Sequence, residues 1–145
     1  MFEKLHMDRI LDFCSKNKLF LVSDEVYWNE SFSTSVFTSF GHLARNDVPV
    51  IVAGGLEKTF LVPGWSVSWL LFFDREDRLG EIKRACKITA DLFEGPASFM
   101  QCALPELLDT LTPNYTKNFM GIFESNYNYL FKSFSSIEGL TPVQA

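Results

Sequence analysis

Apolar residues near the start of the chain recur with the period of a helix. They stand at i, i+3, i+4 and i+7 and are Met7, Ile10, Leu11 and Cys14. Charged residues fill most of the positions between them. This spacing predicts an amphipathic helix over residues 3–16, with its apolar stripe turned toward a core.

Three short apolar runs follow, and each has the length and composition of a strand. They cover residues 19–22, 49–53 and 67–73. Continuous apolar runs of this length are typical of strands that helices cover on both faces. A helix followed by three buried strands predicts an α/β fold with a sheet. Residues 31–38 lack a clear period and predict a loop.

The second half of the chain carries helical patterns. One predicted helix begins at Leu79 and ends before Gly95 and Pro96. The next runs from Ser98, which we expect to cap it, to about residue 111, and Pro105 is expected to kink it. A long helix over residues 115–134 ends the pattern.

That last predicted helix has an apolar stripe, which we expect to lie in the core. Its members are Phe119, Ile122, Phe123, Leu130, Phe131 and Phe134. The chain stops soon after this helix, at residues that resemble the approach to a further strand. It also begins almost within a helix. We therefore expect the chain to be an internal fragment of a longer protein.

Composition and charge exclude several classes of protein. The chain has 145 residues, of which 47% are hydrophobic, so it is expected to fold rather than remain disordered. A net charge of −5 provides no basic surface for nucleic acid. No apolar run reaches the ~18 to 20 residues that a membrane span needs.

The number and spacing of the cysteines indicate a reducing compartment. The three cysteines, Cys14, Cys86 and Cys102, are odd in number and widely spaced, which favours free thiols in the core over disulfides or a zinc site. Free thiols predict a protein of the cytoplasm, and mitochondrial targeting is the alternative that stays open.

Candidate chemistry lies where two predicted strands end. Asp24 follows the first strand with Tyr27 three residues later, and Lys58 follows the second strand after Gly54 and Gly55. Ligands of open α/β sheets bind at the carboxyl ends of strands. Taken singly, Asp24 better fits a strand-end turn in which it caps backbone amides, and Lys58 better fits an ordinary surface lysine.

Longer motifs around these residues resemble a known family. The segments are VSDEVY at 22–27, VPVIVAGGLEK at 48–58 and LVPGW at 61–65, with further likeness downstream at 69–75, 95–96, 101–104 and 139–142. In order and spacing they resemble the class I and II aminotransferases, above all the tyrosine aminotransferase group. The resemblance covers almost the whole chain.

This resemblance implies a fold, a cofactor and residue roles. The fold is type I of the enzymes that use pyridoxal 5'-phosphate (PLP), an α/β fold with a mixed sheet and flanking helices. Residues 1–112 would belong to the large PLP-binding domain, and 113–145 would form the connecting helix and the start of the small domain. Asp24 would hold the pyridine nitrogen, Tyr27 the phenolic oxygen, and Lys58 would be the catalytic Schiff-base lysine. Gly55 is grouped with these cofactor-binding positions.

The resemblance further implies that the intact protein is a homodimer that transfers an amino group from an aromatic amino acid to a 2-oxo acid. The isolated chain is expected to be inactive because other parts of the site lie outside it. One functional position departs from the family, since Ser66 replaces an arginine that pairs with the PLP phosphate. Ser68 stands where glycine is usual. Two alternatives stay open: a PLP-dependent lyase of the same fold, and a degenerate, non-catalytic homologue.

Overall fold

The structure is a computed structural model that describes residues 2–32 and 35–143. Its helices are α1 (Lys4–Asn17), α2 (Gly80–Leu92), α3 (Ser98–Asp109) and α4 (Pro113–Ser135), and its strands are β1 (Leu21–Asp24), β2 (Val50–Gly55) and β3 (Ser68–Phe73). A short 3₁₀ turn covers Pro63–Trp65. The predicted α/β class is confirmed. Positions 33 and 34 of the predicted 31–38 loop lie outside the described residues, as do residues 144 and 145 of the predicted strand approach.

The three strands form one mixed sheet with β2 in the centre. Strand β1 pairs with β2 in parallel, and β3 pairs with β2 in the antiparallel direction. The register places Asp24 beside Ala53 and Ser68 opposite Gly55. The carboxyl ends of β1 and β2 therefore lie at the same edge of the sheet.

The core forms between α1 and one face of the sheet. Its buried members are Met7, Leu11 and Cys14 of α1 together with Phe40, Val48, Val50 and Val52. Residues 50 and 52 point to the same face because side chains alternate along a strand. The predicted amphipathic stripe of the first helix is confirmed.

The prediction that all three strands are covered on both faces is wrong. Strand β2 is almost wholly buried, whereas β1 alternates and β3 is largely exposed. Strand β1 also begins two residues later than predicted. The reason is that the Leu19 N–H donates to the Cys14 carbonyl at 2.9 Å and so closes the end of α1, where Lys18 adopts a left-handed conformation.

Two predictions about the helical half are also corrected. Ala97, not Ser98, is the N-cap of α3, and an alanine side chain cannot cap. The apolar stripe of α4 lies largely on the surface rather than in the core. Ile122 is 64% exposed and Phe123 46% exposed, and Met120 is the buried residue of this helix. Ring contacts within the stripe, such as Phe119 with Phe123 at 4.9 Å, partly replace core packing.

The cysteines are free, as predicted, but only Cys14 lies in the core. Cys86 is half-buried and Cys102 is exposed because α2 and α3 bury little of their surfaces. Among the helices of the described residues, none combines the length and the hydrophobicity needed to cross a membrane.

Candidate functional site

The site begins where β1 ends. Asp24 is the last residue of β1, and the next residue extends the pairing because the Glu25 N–H donates to the Ala53 carbonyl at 2.8 Å. The Asp24 side chain is exposed, and its Oδ1 accepts a hydrogen bond from the Val26 N–H at 3.2 Å. Asp24 thus fills the strand-end turn position, while its exposed carboxylate remains at the edge of the sheet.

Glu25 anchors the turn that follows β1. Its side chain is buried, and Oε1 accepts hydrogen bonds from the Ser23 hydroxyl and the Phe40 N–H, both at 2.9 Å. The chain then turns twice, since the Trp28 N–H donates to the Glu25 carbonyl and the Glu30 N–H donates to the Tyr27 carbonyl. Tyr27 stands on the outside of this turn with 56% of its surface exposed.

Lys58 lies in the turn that follows β2. Leu56 is buried and its N–H donates to the Val67 carbonyl, which ties the start of this turn to β3. The lysine itself is half-buried, and its Nζ lies 5.7 Å from the centroid of the Tyr27 ring. This distance is within the range of a cation–π contact. The structure therefore brings Tyr27 and Lys58 together, although they are far apart in the sequence.

Gly54 and Gly55 allow β3 to approach β2 closely. A Cβ added to Gly54 would stand 2.5 Å from Trp69 Nε1, and one added to Gly55 would stand 3.2 Å from the Val67 carbonyl oxygen. Both glycines are buried. Their observed role is to admit the Trp69 ring and the β3 backbone, and the cofactor-binding role of Gly55 stays a prediction.

Ser66 lies at the end of the 3₁₀ turn that leads into β3. Its backbone is left-handed, with φ 51° and ψ 38°, and its side chain is exposed. Ser68 begins β3 and is exposed as well. The role of Ser66 as a phosphate contact stays a prediction.

The start of α4 is part of this region, which the sequence did not indicate. The Tyr115 hydroxyl donates to the Thr59 carbonyl at 3.0 Å, and the Asn29 side-chain amide donates to the Thr116 hydroxyl at 3.1 Å. Helix α4 is thereby bonded both to the turn that carries Lys58 and to the turn that carries Tyr27. These partners are 56 and 87 residues apart, and no local pattern relates residues at such separations.

Glu30 is a further residue that sequence reasoning missed. Its Oε1 is buried, and none of the described residues donates a hydrogen bond to it. Loss of solvent raises the pKa of the Glu30 carboxyl above its ordinary value, and attraction by Lys58 partly opposes this rise. The lysine amine thus lies within electrostatic range of both the Tyr27 ring and the Glu30 carboxylate.

Comparison with known proteins identifies relatives along the whole chain. The family model described as aminotransferase class I and II matches residues 2–145. Tyrosine aminotransferase from Mus musculus is 31% identical over 145 residues, which are 99% of this chain and 32% of that protein. The S-alkyl-thiohydroximate lyase SUR1 of Arabidopsis thaliana is 30% identical over 112 residues, or 76% of this chain and 24% of that protein.

Solved structures give the same result for the fold. Alanine aminotransferase from Pyrococcus furiosus has a TM-score of 0.90 and 27% identity, covering 99% of this chain and 36% of that chain. Tyrosine aminotransferase from Leishmania infantum has a TM-score of 0.87 and 26% identity, covering 98% of this chain and 38% of that chain. The chain thus spans about a third of the length of these proteins, and its sheet and helices form part of the aminotransferase fold. The chain belongs to the class I and II aminotransferase family.

Proposed function

We propose that the protein containing this chain is a PLP-dependent aminotransferase that moves an amino group from tyrosine or another aromatic amino acid to a 2-oxo acid. The observation that carries the proposal is the position of Lys58. Its Nζ lies 5.7 Å from the centroid of the Tyr27 ring, and the parallel pairing of β1 with β2 brings the strand end that holds Asp24 to the same edge of the sheet. The names of the mouse and Leishmania relatives support an aromatic substrate.

The residues present suit most of the cofactor. PLP, when bound, supplies an aldehyde and a ring that withdraws electrons from the reacting carbon. A lysine amine for the aldehyde, a tyrosine hydroxyl for the phenolic oxygen and a carboxylate for the cationic ring nitrogen are the groups that this molecule requires. Lys58, Tyr27 and Asp24 are these groups, and each lies at the same edge of the sheet. In this proposal Gly55 contributes to cofactor binding by leaving space for the cofactor beside these three side chains.

The mechanism assigns each side chain a task. With PLP bound, Lys58 would hold the aldehyde end of the cofactor through its side-chain amine and would give up that position to the amine of a substrate. As a free amine, Lys58 would be the base that holds and moves the proton of the substrate α-carbon. The Asp24 carboxylate would keep the ring nitrogen of the cofactor protonated, and the Tyr27 hydroxyl would donate a hydrogen bond to its phenolic oxygen.

The degenerate alternative rests on Ser66, at the phosphate end of the site. Ser66 can give one hydroxyl hydrogen bond, whereas an arginine gives two charge-assisted bonds in a fork. We expect Ser66→Arg to tighten PLP binding by about 1.5–3 kcal/mol, which is the range for hydrogen bonds to charged groups. Ser66→Ala is the matched control because it keeps a non-glycine residue at φ 51°. Fluorescence titration with PLP measures both, and equal affinities for the two variants would contradict a phosphate contact at this position.

The lyase alternative rests on a named relative. The Arabidopsis relative is a lyase that shares 30% identity with this chain. A lysine, an aspartate and a tyrosine can position the cofactor in either kind of enzyme. They do not decide whether the substrate loses its amino group to an acceptor or has another bond cleaved. Formation of a 2-oxo acid from tyrosine, coupled to amination of an added 2-oxo acid, distinguishes the aminotransferase from the lyase.

We further propose the arrangement of the intact protein. Residues 1–112 belong to its large domain and 113–145 lead into its small domain, which agrees with the start of α4 at Pro113. The active enzyme is a homodimer. Three free cysteines support a cytoplasmic location, with mitochondrial import as the alternative.

One experiment tests the cofactor and the lysine together. PLP is added to the whole protein, borohydride fixes any lysine adduct, and peptides are mapped by mass spectrometry. We expect an adduct at Lys58 that is lost in Lys58→Arg and kept in the control Lys87→Arg, which alters an exposed lysine of α2. Absence of an adduct at Lys58 under saturating PLP would contradict the proposed function.

A further inference from the structure

The first turn of α4 anchors both turns of the candidate site. The Tyr115 hydroxyl donates to the Thr59 carbonyl at 3.0 Å, and Thr59 directly follows Lys58 in the chain. The next residue of the helix, Thr116, accepts a hydrogen bond from the Asn29 side-chain amide at 3.1 Å. Asn29 lies in the turn that follows β1. Adjacent residues of one helix therefore hold two turns that are far apart in the sequence.

Tyr115 is itself restrained at three points. Its backbone N–H donates to the Thr112 hydroxyl, which caps α4, at 3.2 Å. Its ring contacts the rings of Phe60 and Phe119, with centroid distances of 5.9 and 6.2 Å. The bond from its hydroxyl to the Thr59 carbonyl is the third attachment. A side chain that packing holds in one rotamer can keep its bonding partner in one place.

The turn that carries Lys58 contains a strained residue and needs such restraint. Leu61, three residues after Lys58, has a left-handed backbone with φ 55°. Residues with a Cβ disfavour this conformation because the Cβ comes too close to the following carbonyl oxygen. The Leu61 side chain is exposed, so its own packing does not hold the turn. Strained backbone persists where surrounding contacts restrain it, and the bond from Tyr115 to the buried Thr59 is such a contact.

Lys58 and Tyr27 reach each other from the two anchored turns. The lysine Nζ lies 5.7 Å from the centroid of the tyrosine ring. Tyr27 is exposed and Lys58 is half-buried, so burial alone fixes neither side chain. Groups that take part in chemistry must be held to within about 0.5 Å of their productive positions. The spacing of these two groups therefore depends on how their turns are anchored.

We propose that Tyr115 is a positioning residue for Lys58: its hydroxyl sets the distance between the lysine amine and the Tyr27 ring. The bond from the next residue of α4 to the other turn completes this anchor. The role rests on the proposed function of Lys58 as the cofactor lysine. Loss of the Tyr115 hydroxyl releases the Thr59 carbonyl, lets the strained turn relax and moves the amine away from the ring.

The Tyr27 ring provides a direct measure of the lysine position, because an aromatic ring shifts the NMR signals of groups that lie over its face. The whole protein is labelled with ¹³C-lysine and measured without added PLP. Lys58→Arg identifies the Lys58 Cε signal, and Tyr27→Leu gives the position of that signal when the ring is absent. We expect Tyr115→Phe, which removes only the hydroxyl, to move the signal from its wild-type position toward the Tyr27→Leu position.

Amide hydrogen exchange tests whether the turn itself is released. The Leu61 N–H donates to the Lys58 carbonyl at 3.2 Å, within the turn. Exchange of this amide should become about two- to tenfold faster in Tyr115→Phe, the factor for loss of one ordinary hydrogen bond. Amides of β2 are the internal reference and should exchange as in the wild type.

Two further variants complete the test. Tyr129→Phe is the matched control, because it removes the hydroxyl of an exposed tyrosine on the same helix and should leave the Lys58 signal in place. Thr116→Val removes the acceptor of the Asn29 hydrogen bond and keeps the shape of the side chain. It releases the other turn, so the Lys58 signal should move here as well, even if Tyr115→Phe folds poorly.

A Lys58 signal that keeps its wild-type position in Tyr115→Phe, or in Thr116→Val where that variant alone folds, overturns the proposal. An equal shift in Tyr129→Phe does so too. A lower melting temperature without a shift marks a contact that only stabilises the fold, and likewise refutes the positioning role. The two proposals fail separately. A borohydride adduct at Lys58 with unmoved signals refutes the positioning role alone, and moved signals without an adduct in the wild type refute the proposed function.

Discussion

At the scale of single residues, Glu30 couples charge to stability. Burial disfavours its ionised form, and Lys58 favours it less strongly, so the pKa of the carboxyl in the folded chain lies above its ordinary value of 4.5. A raised pKa means that the folded state prefers the protonated acid. The ionised carboxylate therefore destabilises the fold at neutral pH, whatever it contributes to the site.

The stability of Glu30→Gln should show this as a pH dependence. A neutral amide avoids the cost of a buried charge, so we expect a higher melting temperature than that of the wild type at pH 7. The difference should shrink as pH falls through the folded pKa and vanish below the ordinary value of 4.5. Thermal melts from pH 3 to pH 8 measure it. A variant that is less stable than the wild type at pH 7 would show that attraction outweighs burial.

Residues differ in how far the sequence indicates their role. Asp24 and Lys58 could be selected because each follows an apolar run, and parallel strands bring their carboxyl ends to one edge. Glu30 could not, since an acidic residue in a turn is ordinarily solvated. Tyr115 could not either, because its bond to the Thr59 carbonyl depends on where α4 begins in space.

At the scale of elements, the contact between β2 and β3 depends on a missing side chain. Gly54 lies opposite Trp69 in the antiparallel register, and the indole covers the position that a Cβ would occupy. Strand interiors disfavour glycine unless another group approaches closely. The packing of the Trp69 ring thus requires glycine at position 54. The same contact aligns β3, which begins at Ser68.

Two glycine substitutions should have opposite effects. In Gly54→Ala the new methyl group would meet the Trp69 ring at 2.5 Å, and overpacking of this kind lowers the free energy of unfolding by about 1–3 kcal/mol. In Gly121→Ala, within α4, the methyl group meets nothing within 4 Å. A helix-interior alanine should raise the free energy of unfolding by about 0.5–1 kcal/mol. Urea denaturation measures both. A Gly54→Ala chain as stable as the wild type would mean that the indole moves aside without cost.

Element types followed from the apolar pattern, whereas burial did not. The periods of two and of 3.6 residues are local properties, so three strands and four helices could be located. Whether a strand is covered depends on its neighbours, and β3 is largely exposed despite its continuous apolar run. The stripe of α4 was misjudged for the same reason, because periodicity reveals an apolar face and not its partner.

At the scale of the whole molecule, α2 and α3 expose large apolar side chains close together in the sequence. Leu92 is 75% exposed, Phe93 79% and Phe99 68%. Large apolar side chains that are exposed on neighbouring helices favour contacts between molecules. The chain is therefore expected to associate with itself through this surface.

Association should depend on concentration and on these side chains. We expect size-exclusion chromatography at micromolar concentrations to show species larger than a monomer, and the double variant Leu92→Ser, Phe99→Ser to shift elution toward the monomer. Val36→Ser is the control, because Val36 is 88% exposed in a separate loop. Elution as a monomer at every concentration would contradict the expectation.

The two hydrogen bonds at the start of α4 have a mechanical consequence. Tyr115 and Thr116 bond to the turns that carry Lys58 and Tyr27, whereas the rest of this 23-residue helix buries little beyond Met120. Such a helix is a rod about 34 Å long that is bonded at its first turn and that contacts the Phe32 ring through Tyr127 further along. A tilt of a few degrees at its base displaces the far end by about 3 Å. Conversely, a movement of this helix is transmitted to the turn that carries Lys58, because the Tyr115 hydroxyl is bonded to the carbonyl of Thr59 in that turn.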